Sequence, residues 1–150
     1  MADRSDNLHG CALVLGDRGV IVTGASGSGK TALALALVAR GLDRGRFAAL
    51  VADDRVDVTV RFGRLLCSAP EAIAGLVEIR GRTPRAVEIE PRAVVDLLVR
   101  LVPESAAPRY AEDATQDVLG VAVPCLALAE RNVNGAIAAI ASVLGQRPFT

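Results

Sequence analysis

The chain has 150 residues, enough for one domain with a real core and too few for two. Lys and Arg together number 17, as do Asp and Glu, so no whole-chain field draws it to nucleic acid or to an anionic membrane. No apolar run approaches the ~20 residues of a bilayer span, and no signal-peptide core follows the polar residues 1–7, so a cytoplasmic protein is expected. Cys11, Cys67 and Cys125 are widely spaced, and His9 is the single histidine. They form no zinc-ligand cluster, and the cysteines read as small, reduced, buried apolar residues.

Residues 1–7 are expected to fray, with one domain over 8–145 and a tail at 146–150. Residues 9–15 read as a strand, and a turn at Gly16-Asp17-Arg18-Gly19 leads into a second over 19–23. The short glycine turn predicts a hairpin, hence an antiparallel pair. Residues 31–40 are rich in helix formers and stop at Gly41. Residues 47–52 form a compact apolar strand ending in Asp53-Asp54. Val56, Val58, Val60 and Phe62 then alternate with polar residues, the period of a half-buried strand. A turn at Gly63-Arg64 predicts another hairpin.

Residues 69–75 read as a loop or single helical turn, 76–81 as a short strand, and 86–89 as its resumption after Thr83-Pro84-Arg85. Residues 93–102 fit either a buried strand or a helix, and their Val and Leu content favours strand. Residues 103–108 are a loop. Short strands are expected at 118–123 and 126–129, on either side of Pro124. Val133, Ile137 and Ile140 stand at helical spacing within 132–144, which closes at Gly145. The outline is a mixed-sheet α/β domain with one central helix and a C-terminal helix.

The central feature is Gly24-Ala25-Ser26-Gly27-Ser28-Gly29-Lys30-Thr31, a full match to the phosphate-loop pattern G-x-x-x-x-G-K-[ST]. An apolar strand precedes it and a helix follows, the context the motif requires. Three glycines let the backbone curl and turn its N–H groups toward phosphate oxygens, and the helix start adds its positive dipole end. Lys30 supplies a point charge for the β- and γ-phosphates, and Thr31 a hydroxyl for Mg²⁺.

Such a loop needs a carboxylate at the end of a neighbouring strand. Asp53 and Asp54 hold that position and can divide the work, one as base and one on the cation. The plainer reading is a turn with two solvated acids. Glu78, a charge inside an apolar strand, either serves the site or faces solvent beside Arg80 or Arg82.

In order along the chain, His9-Gly10, the loop, Val51-Ala52-Asp53-Asp54, Glu78-Ile79-Arg80-Gly81 and Arg131-Asn132 resemble the catalytic domain of HPr kinase/phosphorylase, which phosphorylates a serine of the phosphocarrier HPr. The resemblance covers most of the chain. It implies a P-loop kinase fold of the HPr kinase/PEP carboxykinase-like type. It further implies that Lys30 and the loop amides, Gly24 through Thr31, hold the β-phosphate of ATP, and that Thr31 and Glu78 bind Mg²⁺. Asp53 would take the proton from the seryl hydroxyl with Asp54 in close support, and His9 would lie beside the site. Taken alone, His9 is an ordinary strand-end histidine. Arg109 is the candidate for the arginine the family carries on its middle loop.

The family usually adds an N-terminal domain, so the chain resembles a short form with the catalytic domain alone. The family is hexameric, which makes a homo-oligomer an expectation. Two departures stand out. Arg82-Thr83-Pro84-Arg85 interrupts the stretch after Gly81. The run tied to phosphorolysis reads Leu126-Ala127-Leu128-Ala129-Glu130-Arg131, without its middle arginine and second proline, which puts the reverse reaction in doubt. The leading expectation is an ATP- and Mg²⁺-dependent HPr serine kinase. The alternatives are a small-molecule P-loop kinase, which would want an arginine-rich lid, and an ATP-sensing module, which needs no base.

Overall fold

The computed structural model describes residues 4–77, 85–86, 89–109 and 114–144. The chain opens with the hairpin β1 (Ser5–Leu15) and β2 (Arg18–Gly24), followed by the loop and α1 (Lys30–Asp43). β3 (Ala48–Ala52), β4 (Arg55–Arg61) and β5 (Arg64–Ser68) come next, then the two-residue strands β6 (Leu76–Val77) and β7 (Arg85–Ala86). β8 (Arg92–Val102), β9 (Ala114–Val118), β10 (Val121–Ala129) and α2 (Val133–Val143) complete it.

Two eleven-residue strands organise the sheet. The first half of β1 pairs with β4, and its second half lies between β2 and β3. The first residues of β8 pair antiparallel with β5, and the rest run parallel between β2 and β10. The circuit β1–β4–β5–β8–β2–β1 therefore closes on itself, and β3, β10 and β9 extend it.

The second half of β1 reads as a continuous apolar run because it is buried on both faces. Cys11, Leu13 and Leu15 face the helices, packing with Val20, Val22, Leu33, Leu37 and Ile140. Ala12 and Val14 face the other way, into a second core with Ile21, Val51, Val58, Leu65 and Leu98. α1 reaches the first core through Leu33, Ala34, Leu37 and Gly41, positions one turn apart.

Four expectations need correction. β1 begins at Ser5, inside the stretch expected to fray, because its polar end pairs along β4 and Asn7 Nδ2 donates to Asp57 Oδ1 at 2.8 Å. Backbone pairing there needs no apolar side chains. α1 does not stop at Gly41 but runs to Asp43; a Cβ at Gly41 would lie 2.9 Å from the Ala48 Cβ, so this glycine serves helix-on-sheet packing. β10 passes through Pro124 unbroken. At that residue only β9 is paired, and the β8 ladder starts at Cys125, so the missing N–H has no bond to lose on the β8 side. The single strand expected at 118–123 is split by the β9–β10 turn at Leu119 and Gly120, both at positive φ, with Val118 ending β9 and 121–123 opening β10. The strand reading of 93–102 is what is observed. The tail at 146–150 and Gly145 lie outside the described residues.

Candidate active site

β2, β8 and β10 run parallel, so their C-terminal ends share one edge of the sheet, the edge where ligands gather in open α/β sheets. The loop 25–29 leaves β2 there. Gly27 and Gly29 have φ of 80° and 95°, left-handed conformations that a side chain would oppose, and these turn the loop into the helix. Gly29 is the α1 N-cap, with no side-chain cap and no acid in the first turn. The first helical N–H groups are thus left for an anion. Lys30 is buried and folds back over the loop, its Nζ donating to the Gly24 and Ala25 carbonyls at 2.9 and 3.0 Å. Ser28 Oγ is buried and without a hydrogen-bond partner among the described residues, beneath the same curl.

The hairpin brings the second half of the site alongside. β1 runs antiparallel to β2, which sets Gly10 opposite Thr23, and β3 runs antiparallel to β1, which sets Ala52 opposite Ala12. Asp53, one residue beyond β3, is therefore delivered to the start of α1. It is 7% exposed, and its Oδ1 accepts from Thr31 Oγ1 at 2.8 Å and from the Cys11 thiol at 2.9 Å. Burial pushes the Cys11 thiol up to about 12, helped by the bond to Asp53 and its charge, so Cys11 stays a neutral donor to that carboxylate.

Asp54 points the other way. Its φ of 70° is left-handed, a conformation aspartate tolerates better than most residues, and its carbonyl accepts from Gly10 N–H at 3.0 Å. The adjacent carboxylates consequently part. Asp53 turns inward to Thr31, and half-exposed Asp54 meets His9 Nε2 at 3.2 Å. Gly10 explains itself here: a Cβ would lie 2.4 Å from the Val22 carbonyl oxygen, so only glycine lets β1 lie this close to the strand that carries the loop.

The structure thus brings together the loop, Lys30, Thr31 and Asp53, with His9 and Asp54 as a second pair on the exposed side. Arg109 lies on the connection that leaves β8 at this edge. Glu78 lies outside the described residues. Among the described residues no cluster of three His, Cys, Asp or Glu side chains forms a metal cage. The Thr31 hydroxyl, a hard oxygen donor beside the anion cradle, fits Mg²⁺, which binds through one or two such groups plus phosphate oxygens. Two contacts escaped sequence reasoning. Cys11 has no spacing signal that ties it to Asp53. Arg131 meets the loop from the far end of the chain, its N–H donating to the Ser28 carbonyl at 3.1 Å.

Residues 1–144 match the family described as HPr Serine kinase C-terminal domain. The HPr kinase/phosphorylase of Lactobacillus acidophilus is 32% identical over 133 residues, covering 81% of this chain and 39% of that protein. That of Acidovorax sp. is 36% identical over 135 residues, covering 81% and 40%. The chain thus spans about two-fifths of the length of these relatives. The structure of the Hpr(Ser) kinase/phosphatase from Coxiella burnetii superposes with a TM-score of 0.78 at 27% identity, covering 93% of this chain and 96% of that one. Sequence match, closed mixed sheet and the meeting of loop and acid strand agree, and the chain belongs to the HPr serine kinase C-terminal domain family.

Proposed function

We propose that this chain is an ATP- and Mg²⁺-dependent kinase that phosphorylates a serine of an HPr-type phosphocarrier protein. One observation carries the proposal: Asp53 sits 2.8 Å from the hydroxyl that ends the phosphate loop. A base and an anion cradle are thereby held within one phosphoryl's reach. The loop amides and Lys30 would grip the nucleotide's phosphates once Lys30 releases the Gly24 and Ala25 carbonyls. Thr31, with Glu78 as the expected second donor, would hold Mg²⁺, whose charge offsets that of the phosphate oxygens.

In the transfer, Asp53 takes the proton of the seryl hydroxyl, the seryl oxygen bonds to the γ-phosphorus, and the bond to the β–γ bridging oxygen breaks, releasing ADP. Asp54 and His9, on the exposed side, would meet the incoming protein, and Arg109 would approach from the β8–β9 connection. The names of the relatives support HPr as the acceptor. No described helix is long and apolar enough to cross a membrane, and the proposal places the protein in the cytoplasm as a homo-oligomer.

The test is incubation with labelled ATP, Mg²⁺ and HPr. Label on an HPr serine is the expected result. ATP binding with no transfer to HPr would make the chain a sensing module, and transfer to a metabolite would make it a small-molecule kinase. Phosphate and phosphoseryl-HPr, supplied together, measure the reverse direction. It is expected to be weak, because the run before Arg131 lacks the family's middle arginine and second proline.

A further inference from the structure

Arg131 bonds to the phosphate loop from the opposite side to Asp53. Beyond β10, Glu130 N–H donates to the Val102 carbonyl at 2.8 Å, and Arg131 N–H donates to the Ser28 carbonyl at 3.1 Å. The guanidinium Nη1 reaches the Gly27 carbonyl at 3.4 Å, and Nη2 pairs with Glu130 Oε1 at 2.7 Å. The residue has φ of 56°, an uncommon conformation for arginine. It is kept there by the bond to Ser28 and by Asn132, whose side chain caps α2 through the Gly135 N–H at 3.1 Å. A strained backbone next to a ligand loop points to a use for the side chain it aims.

Topology says which use. The sheet order places β1 and β3 on one side of β2, and β8 and β10 on the other. Asp53 follows β3 and Arg131 follows β10, so the two flank the loop from opposite sides. In-line transfer sets the attacking and leaving oxygens on opposite sides of the phosphorus. If the acceptor comes from the Asp53 flank, the diphosphate leaves on the Arg131 flank.

We propose that Arg131 is a further substrate-binding residue of this site, its guanidinium taking the oxygens of the diphosphate that leaves as ADP. The inference rests on the kinase reading for the direction of transfer. The guanidinium is free to exchange partners: its side chain is 69% exposed, and an ion pair so solvated holds it weakly. A diphosphate offers a doubly hydrogen-bonded contact that one carboxylate oxygen does not.

The experiment is ADP binding by calorimetry to the wild-type chain, Arg131→Asn and Arg131→Lys. Asparagine tolerates the left-handed backbone and keeps the N–H bond to Ser28 while removing the cation. ADP should bind Arg131→Asn about tenfold more weakly, with AMP unchanged, since charge-assisted bonds to the diphosphate are lost. Arg131→Lys, which keeps charge without the planar fork, should fall between the two. Wild-type ADP affinity in both variants overturns the proposal, as does an equal loss for AMP. Lysine serves as the check on folding: a lysine variant that melts like the parent and still binds ADP more weakly supports the contact. ADP binding needs no acceptor, so failure of transfer to HPr leaves this test standing, and failure here leaves the kinase reading standing.

Discussion

Replacing Asp53 with Asn separates the chemistry of the site from its architecture. Asparagine is nearly isosteric, and its Oδ1 can accept the same two bonds, from Thr31 at 2.8 Å and Cys11 at 2.9 Å. A bond to a charged acceptor is worth about 1.5–3 kcal/mol and one to a neutral acceptor about 0.5–1.5, so about 1 kcal/mol goes with the Thr31 bond and less with the weakly donating thiol. Against that, a neutral amide costs less to bury than a carboxylate that is 7% exposed. The two nearly cancel, and stability should change by no more than about 1 kcal/mol, or about 2–4 °C in melting temperature for a chain of this size. Catalysis has no such offset. An amide cannot take the seryl proton, and loss of a general base slows transfer by about 10²–10⁴, a barrier increase of ~3–5 kcal/mol. The assay is initial-rate transfer to HPr beside ATP affinity and melting on the same preparation. Transfer within tenfold of wild type would refute the assignment. A larger loss in Asp54→Asn than in Asp53→Asn would move the base to the exposed carboxylate beside His9.

Lys30→Ala should weaken ATP binding about tenfold or more while changing ligand-free melting little, because the loop carbonyls it now bonds can turn to water; unchanged ATP affinity by calorimetry would count against the cradle. Gly10→Ala should lower stability by about 1–3 kcal/mol in urea unfolding, since its Cβ would press on the Val22 carbonyl and part the hairpin; a neutral substitution would mean the strands give way easily. Burial also pushes the Cys67 thiol up to about 12, so a thiol reagent at pH 8 should label half-buried Cys125 and spare Cys11 and Cys67 in the folded protein. Above the ordinary thiol value of 9.0 the unfolded chain releases protons that the folded chain retains, so stability should fall as pH rises from 9 toward 12, read as a declining urea midpoint.

Local chemistry was legible in the chain itself. The eight-residue loop, its apolar strand and its helix are contiguous, so periodicity and residue type place them. The acid pair after a compact strand announced itself in the same way, while 93–102 fitted strand or helix and its Val and Leu content favoured the strand that is observed. The misread boundaries all depended on a neighbour. Gly41 resembles a helix stop until Ala48 fills the space beside it. Pro124 resembles a break until the start of the β8 ladder is known.

What only the tertiary structure decided is who meets whom at the loop. Asp53 and Asp54 are adjacent in sequence and alike in composition, yet a single left-handed residue sends one inward to Thr31 and Cys11 and the other outward to His9. Arg131 stands 104 positions from Gly27 and arrives beside it because β10 is parallel to β8 and β8 to β2. A motif is written in consecutive residues, so the chain alone declared the phosphate-loop pattern. Strand order and backbone sign are settled by packing among distant segments, and they decided which carboxylate and which cation face it.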